Sequence, residues 1–224
     1  MTHWRPDWPA AAREGCSEEV FAVARAAHDS PGRRYHAWEH IEECLAKARE
    51  FPCDSPRIVH LALLFHDSVY VPGRSDNEER SAELAATTLA AHSSLPGAEV
   101  EEIRRIILAT KHHWVDGAEA SRDLRAVLDI DMSILGADEA RYRRYAADVR
   151  HEWVPAVTSA RNYRIGRRRF LESLLARPRI FSTEEGRARW EDRARRNVAS
   201  EIAAIAEEQG LLERALAKIV RAPR

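Results

Sequence analysis

The sequence predicts an all-α fold on three observations. Apolar residues recur at three- and four-residue steps through most of the 224 residues, no alternating run is long enough for a convincing strand, and caps and breakers punctuate the pattern at short intervals. No fixed period repeats, so a solenoid is not expected. A chain of this length fits one domain and buries roughly 70% of the surface its unfolded state exposes.

Each element follows from its own residues. Ser17, ahead of Glu18 and Glu19 and then Val20, Phe21, Val23 and Ala24, reads as the cap of an amphipathic helix that Ser30-Pro31-Gly32 stops. A second helix is expected from His36 to about Glu50, where Trp38, Ile41, Cys44, Leu45 and Ala48 recur at helical steps before Phe51-Pro52. On that helix His36 and His40 share a face. Residues 56–70 are more uniformly apolar and predict a central helix ending at His66-Asp67. A polar pair at the end of a buried helix needs partners.

After the Val71-Pro72-Gly73 turn, Asp76 is expected to cap an alanine-rich helix through Asn77, Glu78 and Glu79 to about His92. Pro96-Gly97 separates it from a helix running from Glu99 to about His113, and Val115 to Ser121 reads as loop. A helix through Leu124, Val127, Leu128 and Ile130 brings Asp129 and Asp131 to the core and closes at Gly136. Asp138 caps an arginine-rich helix that Pro155 breaks; another runs from Arg161 to Leu175, and Thr183 caps one carrying Trp190, Ala194, Val198 and Ile202. Gly210 marks a turn before a terminal helix.

Composition narrows the class. Lys and Arg number 35 against 36 Asp and Glu, a formal charge of −1, which points away from bulk nucleic-acid or membrane binding. The three cysteines form no CxxC pair and read as reduced, buried thiols. No window approaches a membrane span and the first residues hold no apolar signal core, so a cytoplasmic protein is expected.

The chemistry-bearing residues are Tyr35-His36-Ala37-Trp38-Glu39-His40, the doublet His66-Asp67 and the tract Asp129-Ile130-Asp131. Imidazoles and carboxylates in this mixture suit a divalent metal such as Mn, Fe, Co, Ni, Zn or Mg. A site with open positions activates water and polarises a phosphoryl oxygen together. Either Asp129 or Asp131 fits the last position from spacing alone.

In order and spacing these residues resemble the H…HD…D pattern of the HD superfamily of metal-dependent phosphohydrolases, over about residues 34–136. The resemblance implies a compact HD-type helical bundle, with a core at about 17–136 and a C-terminal helical extension at about 137–224 packed on it as one domain. It implies one metal held by His40, His66, Asp67 and Asp131, the last chosen because it opens the Asp-Met-Ser-Ile-Leu-Gly stretch. The Tyr-His-x-x-x-His opening is also similar to that of cyclic-nucleotide phosphodiesterases, which implies that His36 protonates the leaving oxygen. The chain departs from the binuclear enzymes in having no further histidine run after Asp67, although His112 or His113 offers a second-metal ligand. The implied activity is hydrolysis of a phosphate ester of a nucleotide or related small metabolite, with a homodimer possible.

Other residues keep two readings. Asn77 and Glu78 orient water or substrate, or make a helix start; Lys111, His113 and Arg167 contact phosphate, or belong to solvated faces. For Arg161, Arg164, Arg167, Arg168 and Arg169 the solvated face is preferred, and Trp153, Tyr163, Phe170 and Trp190 read as core anchors. His3, His28, His60, His92 and His151 read as packing or surface residues. Two other functions compete: a nucleotide-binding sensor or scaffold without turnover, and a zinc peptidase using His36-Ala37-Trp38-Glu39-His40 with Glu39 as base.

Overall fold

Ser55 and Pro56 start the helix around which the others are arranged. Ser55 accepts from the Ile58 N–H, Pro56 takes the first turn where no donor is needed, and every residue from Ile58 to Phe65 is buried. A helix apolar all round belongs at a domain centre. A computed structural model describes residues 10–115 and 120–221, with side chains to residue 210.

Among the described residues the structure is all-helical, with one isolated bridge between Cys16 and Ser93. The elements are α1 (Ala10–Arg13), α2 (Glu18–His28), α3 (Trp38–Ala48), α4 (Pro56–Phe65), α5 (Asn77–His92), α6 (Gly97–Thr110), α7 (Arg122–Asp131), a 3-10 turn (Met132–Gly136), α8 (Glu139–Trp153), α9 (Ala160–Ala176), α10 (Glu184–Gly186), a π turn (Arg187–Glu191) and α11 (Asp192–Arg221). Central α4 packs against α1, α3, α5, α6 and α7, while α11 lies on α9 and on the 3-10 turn. Asp123, at the start of α7, accepts from the Asp54 and Ser55 N–H groups at 2.6 and 3.1 Å. It ties the two helix starts together. No helix among the described residues is long and apolar enough to cross a membrane.

Several boundaries differ from the sequence expectation. The second helix begins at Trp38, because Glu152 binds the backbone N–H groups of Arg34, Tyr35 and His36 and Ala37 is extended. His36 and His40 therefore do not share a helical face. Asp76 precedes α5 but does not cap it, since Arg74 takes both its oxygens at 2.7 Å. Helix α6 stops at Thr110, and His113 adopts a left-handed φ of 47°. The expected Val115–Ser121 loop lies in part on residues 116–119, outside the described residues, as does His3. Helix α11 continues through Gly210, where one glycine costs only about 1 kcal/mol relative to alanine.

The C-terminal helices are fastened by specific contacts. Trp190 is buried against Phe51, with ring centroids 5.5 Å apart, and against Phe181 at 5.5 Å. The preference for a solvated arginine face fails at Arg164 and Arg167, both buried. The first pairs with Glu208 at 2.8 Å, and the second forks onto Glu201 at 2.9 and 3.0 Å. Trp153 and Tyr163 are half-buried and pack against the core, so of the four expected anchors only Phe170, which is exposed, departs from the expectation.

Candidate metal centre

Three helices deliver four side chains to one point. His40 comes from the first turn of α3, His66 and Asp67 follow the last residue of α4, and Asp131 ends α7. Both neighbours of the α4 doublet converge because they leave the helix where it ends. His40 Nε2 lies 3.2 Å from His66 Nε2 and 3.2 Å from Asp131 Oδ1. His66 Nε2 lies 3.2 Å from Asp67 Oδ2 and 3.4 Å from Asp131 Oδ1, and His40 Nε2 lies 3.8 Å from Asp67 Oδ2.

The four separations of 3.2–3.4 Å fit ligands of a shared cation, and His40, His66 and Asp67 form a group able to hold one. Ligand atoms about 2.1 Å from one metal stand about 3.0–3.4 Å from each other in tetrahedral or octahedral arrangements. The His66 ring is already oriented for the task. Its Nδ1 lies 2.8 Å from the Leu63 carbonyl, and a carbonyl only accepts, so Nδ1 carries the hydrogen and Nε2 faces the cluster. Imidazole nitrogens and carboxylate oxygens make an N/O set suited to borderline and hard divalent ions. His40, His66 and Asp131 are buried, while the Asp67 side chain keeps 20% of its surface accessible. The cluster thus opens on the Asp67 side.

Electrostatics point the same way. Burial disfavours charge on His40, but the Cys44 sulfur and Asp131 outweigh it and push the imidazole up to about 10. Burial likewise opposes charge on His66, yet Asp67 and Asp131 hold its pKa well above the ordinary histidine range. Against the cost of their own burial, His66 holds Asp67 and Asp131 below the usual carboxylate range. The site is a concentrated negative field that demands positive charge, supplied by protons or by a metal.

The structure separates the two aspartates that spacing left open. Asp129 accepts from the Ser182 and Thr183 N–H groups, each at 2.7 Å, and from the Thr183 hydroxyl. It anchors the start of α10, whereas Asp131 faces the histidines. His113 also reaches the cluster, with Nδ1 3.3 Å from Asp131 Oδ2; His112 is exposed on the same turn.

His36 stands beside the cluster rather than in it. Its Nδ1 is 2.6 Å from Glu152 Oε2, its ring stacks on Tyr70 at 3.8 Å, and its centroid is 6.5 Å from that of His40. Glu152 is buried at the end of α8. Burial raises its pKa, but His36 and three backbone donors bring it below the ordinary value. Glu39 pairs with Arg144 at the surface, so the geometry of an HxxEH peptidase helix is not formed.

The remaining sequence candidates sit elsewhere or are already engaged. Asn77 is buried and bonds both the N–H and the carbonyl of Val71 at 3.0 and 3.1 Å, which closes the turn ahead of α5. Glu78 is half-buried in the same first turn. Lys111 is held by Glu79 and the Ser75 carbonyl. Arg167 adds the Tyr145 hydroxyl, at 3.1 Å, to its fork on Glu201.

Three participants escaped the sequence reading. Arg33 reaches the carbonyls of His36, Asp67 and Ser68 at 3.0, 2.6 and 2.8 Å, so it fixes both the Asp67 backbone and the His36 segment. Glu152 positions His36 from 116 residues away. Cys44, read as a packing thiol, lies 3.7 and 3.8 Å from the two His40 ring nitrogens, and His40, Cys44 and Asp131 form a second group able to hold an ion. Only the helical i, i+4 step from His40 to Cys44 was visible beforehand. Compared with protein-family models, curated proteins and solved structures, the chain gives no match.

Proposed function

We propose that the chain is a metal-dependent phosphohydrolase of the HD type, acting on the phosphate ester of a nucleotide or a related small metabolite. The observation that carries this reading is that His40 and His66 lie 3.2 Å from each other and 3.2–3.8 Å from Asp67 and Asp131, with His36 alongside. A divalent metal held there supplies Lewis-acid polarisation of a phosphoryl oxygen and acidifies water near neutral pH.

The chain's own residues do the rest. Glu152 accepts a hydrogen bond from the His36 Nδ1–H, which leaves Nε2 as the atom that holds a proton for the departing oxygen. Three backbone N–H groups keep that carboxylate in place, and Tyr70 limits rotation of the imidazole from one side. Arg33 sets the Asp67 backbone, so the accessible carboxylate stays with His66 at the open side of the cluster.

Phosphate release from nucleoside mono- and diphosphates, with Mn, Co, Ni, Fe, Mg and Zn supplied in turn, tests the proposal. At least one metal is expected to support turnover, and Asp67→Ala to lower it by about a hundredfold or more. Turnover that is unchanged in Asp67→Ala, or absent with every metal, would contradict it. In the second case a binding function without catalysis takes its place.

A further inference from the structure

A cavity of about 670 Å³ opens between α8, α9 and the chain joining them, outside the metal cluster. Its size falls within the range of small-molecule sites. Trp153, Tyr163 and Phe170 supply aromatic faces, with Val149 and Val157 between them. Among the described residues lining it, Arg167 alone is charged, and its fork is matched by Glu201. An anion therefore finds no unpaired cation there. The polar side chains lining it are neutral, Thr158 with its hydroxyl and Asn162 with its amide.

Three features set this cavity apart from incidental roughness. The three exposed large hydrophobics among the described residues are Val71, Val157 and Phe170. Two line the cavity, and the third is two residues from Gly73, which also lines it. Gly166 stands in the interior of α9, where glycine weakens a helix, and a Cβ added there meets nothing within 4 Å. Finally, Trp153 donates to the Tyr70 hydroxyl at 3.3 Å, and Tyr70 stacks on His36, so one wall of the cavity is two side chains from the candidate acid.

The geometry points to this cleft as a binding site for a small molecule carrying an uncharged planar heteroaromatic ring. Aromatic and aliphatic walls take the ring faces, and the neutral donors and acceptors of Asn162 and Thr158 meet its polar edge. The space over Gly166 admits a ring that any larger side chain displaces.

Saturation-transfer NMR of the full chain with adenosine, cytidine and nicotinamide as probes, and with ribose as the ringless control, tests this. None carries a phosphate ester, so the outcome is independent of metal binding and turnover. At least one ring probe is expected to show saturable transfer to its ring protons, with none to ribose. Gly166→Leu is expected to melt no lower than the parent chain and to weaken the ring probe about tenfold, as is the exposed-site variant Phe170→Ala; a lost stacking contact registers on that scale. No saturable binding of any ring probe, or equal binding by the parent chain and both variants, overturns the assignment.

Discussion

His28 shows how burial alone decides the behaviour of one titratable side chain. It is buried, its Nε2 lies 3.1 Å from the Leu64 carbonyl and its Nδ1 lies 3.4 Å from Arg33, an arrangement that suits the neutral ring. Burial accordingly lowers its pKa to about 3. The unfolded chain protonates this histidine near pH 6.5 and the folded chain does not, so the stabilisation is complete above about 6.5 and is lost as pH falls toward 3. Denaturant unfolding at pH 7 and pH 5 is expected to show a loss of about 2 kcal/mol in the parent chain beyond that in His28→Gln. His36 is a different case, since its value lies in orientation. His36→Asn is expected to lower kcat by about 10²–10⁴ with metal content unchanged, and Glu152→Gln to lower it less, in steady-state kinetics paired with metal analysis. His40, His66 and Asp67 stood out by order and spacing, whereas spacing left Asp129 and Asp131 open. Arg33, Glu152 and Cys44 were not legible, because a carboxylate 116 residues from its imidazole partner leaves no local pattern.

At the scale of elements, caps were legible in part and the joins between helices were not. Of the four expected caps, Asp138 and Thr183 accept from the first turn of their helices, whereas Ser17 makes no cap hydrogen bond and Asp76 is taken by Arg74; Ser55, Ser121 and Ser159 cap helices without having been singled out in the sequence. The start of α3 was misplaced because Glu152 draws backbone donors away from helix formation, and apolar periodicity does not register such a contact. Glycine 136 marks a join of another kind. A Cβ there meets Trp190 Cβ at 2.5 Å and the Trp190 backbone oxygen at 2.8 Å, so the 3-10 turn and the π turn pass backbone against backbone. Gly136→Ala is expected to cost about 1–3 kcal/mol in thermal or denaturant unfolding, because neither neighbour is a flexible tip. Gly166→Ala is expected to raise stability by about 1 kcal/mol, since the same added atom meets nothing.

For the whole molecule, helix α4 is both the centre of the core and the support of the site. The doublet His66-Asp67 lies at its end, where the packing of α3 and α7 against it brings His40 and Asp131 alongside. The all-α class was legible because the apolar periodicity extends along nearly the whole chain. The inward turn of Arg164 and Arg167 was not, since a buried ion pair and a solvated arginine read alike in sequence. The central claim is that these four side chains hold one divalent metal. Thermal unfolding of chelator-stripped protein titrated with Mn or Zn measures it directly. The account predicts saturation at one ion per chain and a rise of about 5–10 °C at a hundredfold excess over Kd, lost in Asp67→Ala and in Asp131→Asn. No shift in the parent chain, or the same shift in both variants, would contradict it.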